Sequence, residues 1–331
     1  MARQYKDSLA LTEAMLGGDR VALARLITII ENRRSDTATI MSRVYEACGK
    51  AFTIGITGPP GAGKSTITSC LIEHLRAKDM SVGVVAIDPS SPFSGGSILG
   101  DRIRMQKHFL DPAVFIRSLS TRGSHGGLAR SGRDVARVFD AFGKDVVIIE
   151  TVGVGQTELD IMEVADTVNV VLVPESGDTV QVMKAGLLEI ADVFVVNKAD
   201  REGSLRMKTE LKTMLSLQAV NGDDGWEVPV LMTQASATEG TLELLDACFR
   251  HRDHLDHETR LRRQRERLRD EVLEICKEEL MRRLQDNVTV EPLLGVLESV
   301  QKGESDPYRA ALEILDNEGC LSRVLSAPPE G

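Results

Sequence analysis

Eight consecutive residues near the start of the chain have the types and spacing that hold a phosphate group. They fit the pattern G-x-x-x-x-G-K-[ST] and are Gly58, Pro59, Pro60, Gly61, Ala62, Gly63, Lys64 and Ser65. Glycines let backbone N–H groups close around a phosphate, and Lys64 adds a full positive charge. Ser65 is placed to bind Mg²⁺, and Thr66 follows it at the start of a helical pattern. The apolar run Phe52 to Thr57 precedes the loop, so the strand, loop and helix together predict binding of a nucleoside triphosphate.

A second motif, Asn197-Lys198-Ala199-Asp200, follows the apolar run VFVVN and fits the pattern N-K-x-D. A carboxylate such as Asp200 can accept two hydrogen bonds from the N1–H and the amino group of guanine, whereas adenine presents the opposite polarity. Lys198 would lay its alkyl stem on the base, and Asn197 would tie this loop to the phosphate loop. The alternative is a helix N-cap with a basic neighbour. Together with the phosphate loop, the motif predicts GTP as the nucleotide.

Three more residues are candidates to contact the guanine base. Ala235, Ser236 and Ala237 follow the last apolar run, VPVLMT. Their backbone N–H groups could donate to the guanine carbonyl, although three small residues are a weak signal without the other motifs.

Three carboxylates are candidates for the metal site, because Mg²⁺ prefers hard oxygen ligands. Asp88 ends the run SVGVVAID, Asp101 lies where the following Ser/Gly-rich segment turns helical, and Glu150 ends the run DVVIIE. We predict that these carboxylates bind Mg²⁺ with Ser65. Asp101 has a second interpretation, as a helix N-cap. Asp88 and Glu150, with Lys64, are also the predicted catalytic residues.

The segment Glu150-Thr151-Val152-Gly153 resembles the D-x-x-G motif of GTPases, with Glu in place of Asp at its first position. Gly153 could donate its N–H group to the γ-phosphate. Glu150, longer by one methylene group, could hold a metal-bound or attacking water molecule.

Three histidines, His251, His254 and His257, recur every three residues, a spacing that could chelate a metal on a helix. We interpret them instead as a solvated helix end beside Asp253 and Asp256. The five cysteines are scattered and form no C-x-x-C pair, which favours a reducing compartment.

Composition limits the classes of function. The 331 residues carry a net charge of −10, which disfavours binding to nucleic acid or to an anionic membrane. No apolar run is long enough to cross a bilayer, and the amino terminus has no signal-peptide pattern. We therefore expect a cytoplasmic protein with neither nucleic acid nor membrane as a partner.

The order of patterns along the chain predicts an α/β fold. Residues 1–47 form a helical extension, and residues 48–257 alternate seven β-branched runs with helical segments, which implies a mainly parallel sheet flanked by helices. Residues 258–331 are charged and helical, and their apolar stripe favours packing against a second copy of the chain.

Four segments together resemble the MeaB/MMAA/ArgK family of P-loop GTPases. They are ITGPPGAGKST, AIDPSSPFSGGSILGDRIRM, VVIIETVGVGQTELDI and NKAD. The resemblance implies a Mg²⁺-dependent GTPase that hydrolyses GTP to GDP and phosphate. It also implies a chaperone that gates adenosylcobalamin loading and protects or reactivates a partner acyl-CoA mutase of the methylmalonyl-CoA mutase type. Adenosylcobalamin would then be met only through that partner.

The resemblance further implies a homodimer with the carboxyl-terminal helices as its arm. By position, Asp178, Gln181 and Lys184 match the family's additional switch, which is implicated in signalling to the mutase. Two alternatives remain at this stage. One is a nickel metallochaperone GTPase of similar fold, and the other is a kinase of a transport protein.

Overall fold

A computed structural model describes residues 7–32, 36–88, 105–120, 127–151, 159–174, 186–218, 225–286 and 293–317, together with Gly319 and Ser322. The chain divides into two compact units, Met1–Leu255 and Asp256–Gly331. The threefold division predicted from sequence, at residues 47 and 257, stays a prediction.

The first unit is built on a parallel sheet of seven strands in the order β3-β2-β4-β1-β5-β6-β7. Every pair of neighbouring strands is parallel. The strands are β1 (Phe52–Thr57), β2 (Val82–Asp88), β3 (Val114–Ser120), β4 (Val146–Glu150), β5 (Thr167–Leu172), β6 (Val193–Asn197) and β7 (Val230–Thr233). Parallel strands covered on both faces need continuous apolar runs, and these are the seven runs seen in the sequence. The predicted fold class is confirmed.

Helices cover both faces of this sheet. They are α1 (Ser8–Leu16), α2 (Arg20–Glu31), α3 (Thr37–Tyr45), α4 (Lys64–Ala77), α5 (Gly127–Ala141), α6 (Leu187–Ile190), α7 (Ser204–Gln218) and α8 (Thr241–His254). Apolar residues of α4 and α8 form one core with one face of the sheet. Those of α1, α2, α3 and α5 form a second core on the opposite face, and α6 and α7 form a third around β5 and β6.

The amino-terminal helices α1 to α3 belong to the first unit and share its second core. Asp19 caps α2 by accepting hydrogen bonds from the amides of its first turn, which stabilises the helix start. Arg117 of β3 pairs with Glu31 of α2 at 2.6 Å, with both side chains largely buried. Asp140 of α5 accepts hydrogen bonds from the consecutive amides of residues 49–51. The extension is therefore held to the sheet by polar as well as apolar contacts.

The second unit consists of α9 (His257–Asp286), α10 (Leu293–Gln301) and α11 (Pro307–Asp316). Glu279 pairs with Arg282 and Arg283 along α9 at 2.8 Å, and these hydrogen bonds lower the pKa of the Glu279 carboxyl to about 2. Such pairs support a long, solvated helix. No helix within the described residues is both long and apolar enough to cross a membrane.

Parallel strands bring their carboxyl ends to one edge of the sheet. In the register of the sheet, Glu150 of β4 lies opposite Ile56 of β1 and Ala86 of β2, and Asn197 of β6 lies opposite Thr233 of β7. Glu150 and Asn197, which were both singled out by sequence, therefore share this edge.

Candidate functional site

The phosphate loop leaves β1 at Thr57 and enters α4 at Lys64. Gly58 has φ of +132° and Gly63 has φ of +93°, a backbone region that favours glycine. A Cβ atom would lie 2.0 Å from the Val171 carbonyl oxygen at Gly58, and 2.3 Å from the Asn197 amide nitrogen at Gly63. Both glycines are therefore required by close packing as well as by backbone conformation.

Lys64 is the first residue of α4 and is buried. Its Nζ atom donates hydrogen bonds to the carbonyl oxygens of Gly58, at 2.6 Å, and Pro59, at 3.0 Å. The ammonium group thus lies directly against the phosphate loop. It stands at a helix amino terminus, where the backbone adds partial positive charge. This is the arrangement that a nucleotide phosphate needs.

Glu150 joins the end of β4 to the same helix. Its Oε1 atom accepts a hydrogen bond from the Ser65 hydroxyl at 2.5 Å, and Oε2 accepts one from the Thr68 hydroxyl at 2.8 Å. All three side chains are buried. A hydroxyl and a carboxylate at this distance are hard oxygen donors suited to Mg²⁺. The residues present therefore fit that ion.

The other predicted metal and phosphate residues are only partly placed. Asp88 ends β2, next to β4 in the sheet, which puts its backbone at the same edge as Glu150. Asp101, Gly153, Asp178, Gln181 and Lys184 lie outside the described residues. Within the part of the chain that is described, no three His, Cys, Asp or Glu side chains group as a metal site.

Asn197 links the base motif to the phosphate loop. Its amide nitrogen donates to the Ala62 carbonyl oxygen at 2.8 Å, and its Oδ1 atom accepts from the Thr233 hydroxyl at 3.0 Å and the Ala235 amide at 3.2 Å. Lys198 follows with φ of +57°, an uncommon conformation for a residue other than glycine. Asp200 is exposed. Its carboxylate is thus accessible to a base.

Ala235, Ser236 and Ala237 form a 3₁₀ turn directly after β7. The Ala235 amide donates to Asn197, and the Ala237 amide donates to the Gln234 carbonyl oxygen at 2.9 Å. The Ser236 amide has no acceptor among the described residues. The sequence made all three amides candidate donors to the guanine carbonyl. Since the Ala235 and Ala237 amides already have acceptors, the Ser236 amide is the one of the three that is available to the base.

Polar side chains attach residues 105–111 to α4. The Ser69 hydroxyl lies 2.9 Å from Nε2 of His108, and both side chains are buried. Burial lowers the pKa of His108, which keeps the ring neutral and able to share this hydrogen bond. Farther along the helix, Arg76 pairs with Asp111 at 2.8 Å.

Our interpretation of the three histidines was wrong for His251. This side chain is fully buried, its Nδ1 atom lies 2.8 Å from the Thr167 hydroxyl, and its Nε2 atom lies 3.2 Å from Asp192. Trp226 packs against its ring at 5.0 Å between centroids. The apolar face of α8 brings residue 251 into the interior, where the Thr167 hydroxyl hydrogen-bonds to Nδ1 and the Asp192 carboxylate lies beside Nε2. His254 is exposed, as expected.

Two residues that contact the site were missed from sequence. Thr68 holds Glu150, and the Cys70 thiol donates to the Ala235 carbonyl oxygen at 3.3 Å. The position of Thr68 could have been predicted from helical spacing, because a residue three positions after Ser65 lies on the same face of the helix. No pattern in the sequence around Cys70 indicates that this residue contacts Ala235.

The sheet, the phosphate loop before α4 and the Asn197 loop after β6 define a P-loop GTPase. A family model described as methylmalonyl-CoA mutase-associated GTPase MeaB matches residues 23–289. The chain therefore belongs to the MeaB/MMAA/ArgK family of GTPases.

Individual relatives match nearly the whole chain. A protein of Pyrococcus abyssi, provisionally named a GTPase, is 47% identical over 307 residues, covering 92% of this chain and 95% of its own. The methylmalonic aciduria type A homolog of Caenorhabditis elegans, named as mitochondrial, is 31% identical over 322 residues, covering 91% of this chain and 80% of its own. A crystal structure of an LAO/AO transport system kinase has the same fold, with a TM-score of 0.68 at 24% identity, covering 96% of this chain and 99% of that one.

Proposed function

We propose that this protein hydrolyses GTP to GDP and phosphate and uses the two nucleotide states to control a partner acyl-CoA mutase. The observation that carries the first part is the contact of Asn197 with Ala62. One side chain fixes the base motif against the phosphate loop at 2.8 Å, so that both parts of a single guanine nucleotide can be held together.

In this proposal, Lys64 and the amides of the phosphate loop bind the β- and γ-phosphates. Ser65 and Glu150 would hold Mg²⁺, directly or through water, with Asp88 and Asp101 as further ligands predicted from sequence. Once bound, the ion would neutralise charge on the phosphates. Glu150 also has the reach and the buried charge to orient a water molecule near the γ-phosphate. The Gly153 amide would donate to that phosphate, as predicted from sequence.

Guanine selectivity would come from two sides of the base. Asp200 would accept hydrogen bonds from N1–H and the amino group, and the Ser236 amide would donate to the carbonyl oxygen O6. Adenine reverses these polarities, so each contact would reject it.

Asp200→Asn tests this assignment. We expect GDP affinity to fall about thirtyfold, because charge-assisted hydrogen bonds are lost. Affinity for xanthosine diphosphate should rise instead, since the new amide can donate to the oxygen at position 2. Competition binding with the three nucleotides measures both. Asp246→Asn on α8 is the control and should match the parent. A variant that binds GDP and xanthosine diphosphate as the parent does would contradict the role of Asp200.

The mutase partner is supported by membership of a family described as methylmalonyl-CoA mutase-associated, and by the name of the C. elegans relative. In this proposal the protein gates the loading of adenosylcobalamin and protects or reactivates the mutase. Asp178, Gln181 and Lys184 are the residues proposed to signal to that partner. We retain the predicted cytoplasmic location as part of the same proposal.

We also propose a homodimer formed through α9. The first half of this helix carries six arginines, at positions 260, 262, 263, 265, 267 and 269, whereas its second half is rich in Asp and Glu. Val272, Leu273 and Ile275 are exposed near the middle of the helix. Two copies packed antiparallel would place opposite charges against each other and bury this apolar centre.

Sedimentation equilibrium tests the dimer. The parent should sediment as a dimer at micromolar concentration, and Leu273→Glu should shift it to a monomer by burying a charge in the interface. Leu205→Glu is the control, since Leu205 is equally exposed on α7, at 69% against 60% for Leu273. A monomeric parent would exclude the dimer, and a dimeric Leu273→Glu variant would exclude this interface.

A further inference from the structure

The loop of residues 234–240, here called the base loop, includes the peptide unit between Ala235 and Ser236, which would meet guanine. Its N–H group, that of Ser236, is the one amide of the turn without an acceptor among the described residues. Its carbonyl group, that of Ala235, accepts two hydrogen bonds, one from the Thr238 amide at 3.2 Å and one from the Cys70 thiol at 3.3 Å. In a trans peptide the C=O and N–H bonds point in opposite directions. The donors that fix the carbonyl therefore also set the direction of the amide.

Cys70 is the side-chain donor to this carbonyl. Its side chain is buried on α4, one and a half turns after Lys64. Burial raises the pKa of the Cys70 thiol, so its proton is retained at neutral pH and can be donated. The preceding amide, of Ala235, is held independently by Asn197 at 3.2 Å. The peptide groups on both sides of Cα of Ala235 are thus contacted by two side chains, Asn197 of the base motif and Cys70 of the helix that follows the phosphate loop.

A second contact attaches the same loop to the same helix. His74, one turn beyond Cys70, lies 2.9 Å from the Thr241 hydroxyl, which in turn donates to the Thr238 carbonyl oxygen at 2.8 Å. Thr238 has φ of +63°, so the loop turns sharply between its two attachments. The base loop is therefore fixed to the phosphate helix at its start and at its end.

We propose that Cys70 is a positioning residue for guanine recognition, which together with the Thr238 amide directs the Ser236 amide at the O6 atom of the base. The inference rests on the proposed function, because it assumes that this loop reads guanine. Through Cys70, the helix that binds the phosphates also orients the amide that reads the base.

Cys70→Val tests the proposal, because valine fills the apolar site with a branched side chain that is larger by about one methyl group and has no donor. We expect GDP affinity to fall about threefold to tenfold, the range for one neutral hydrogen bond. Affinity for 2-aminopurine riboside diphosphate, which lacks O6, should not change. Cys70→Ser, which keeps a donor, should bind GDP within about twofold of the parent. Calorimetric titration of each variant with each nucleotide gives these values.

Cys248→Val is the matched control. Its thiol is also buried and donates at 3.3 Å, but to the Asn169 side chain within the core. This variant should bind both nucleotides as the parent does. Equal losses for GDP and the analogue in Cys70→Val, or unchanged GDP affinity in both Cys70→Val and Cys70→Ala, would overturn the proposal. A parent that does not prefer GDP to ADP would instead refute the proposed function itself.

Discussion

Replacing Lys64 with alanine is expected to weaken GTP binding by about two orders of magnitude, the effect of losing charge-assisted hydrogen bonds to phosphate. The Nζ atom lies within 3.0 Å of two carbonyl oxygens of the phosphate loop. The ammonium group therefore lies against the loop that would bind the β- and γ-phosphates. Fluorescence titration with a labelled GTP analogue would measure the loss.

Lys78→Ala is the control for this prediction. Lys78 is exposed at the carboxyl end of the same helix, so its removal takes away the same charge far from the loop. The control should bind GTP as the parent does. Equal affinities for the parent and Lys64→Ala would show that this loop does not bind phosphate.

Glu150→Gln is expected to reduce the hydrolysis rate at saturating GTP about a hundredfold, within the range for loss of a catalytic carboxylate. Glutamine has nearly the same shape and can still accept a hydrogen bond from Ser65 or Thr68, but it carries no charge. GDP binding without Mg²⁺ should stay within about threefold of the parent, because that binding depends on Lys64 and the loop amides rather than on the carboxylate.

Glu73→Gln on α4 serves as its control, since that exposed carboxylate pairs only with Lys107 among the interactions described for it. It should hydrolyse GTP at the parental rate. If Glu150→Gln also did so, the carboxylate would hold the fold together without acting in hydrolysis. If it lost GDP binding without Mg²⁺ as well, the charge would be needed for the loop itself.

The sheet and the two nucleotide motifs could be predicted because their signals are local. Each strand is an apolar run bounded by turn residues, and the phosphate loop is defined by glycines that the backbone requires. Gly63 illustrates this, since its positive φ and its contact with Asn197 both exclude a Cβ atom. The prediction that Asn197 ties the base motif to the phosphate loop agrees with its hydrogen bond to Ala62.

Contacts between distant residues could not be predicted in the same way. Cys70 and Ala235 are 165 positions apart, and Thr68 and Glu150 are 82 apart. A single sequence contains no measure of which side chains meet across such separations. The prediction that His251 is solvated was wrong for the same reason. Its charged neighbours at positions 253 and 256 gave no indication that one face of α8 packs inward.

Steady-state GTP hydrolysis with Mg²⁺, measured alone and with a panel of adenosylcobalamin-dependent acyl-CoA mutases, tests the central claim most directly. We predict slow hydrolysis by the protein alone and a clear acceleration with one mutase, which would also identify the client. No hydrolysis under any condition would contradict the GTPase activity. Hydrolysis at one rate with every mutase would contradict a role in controlling these enzymes.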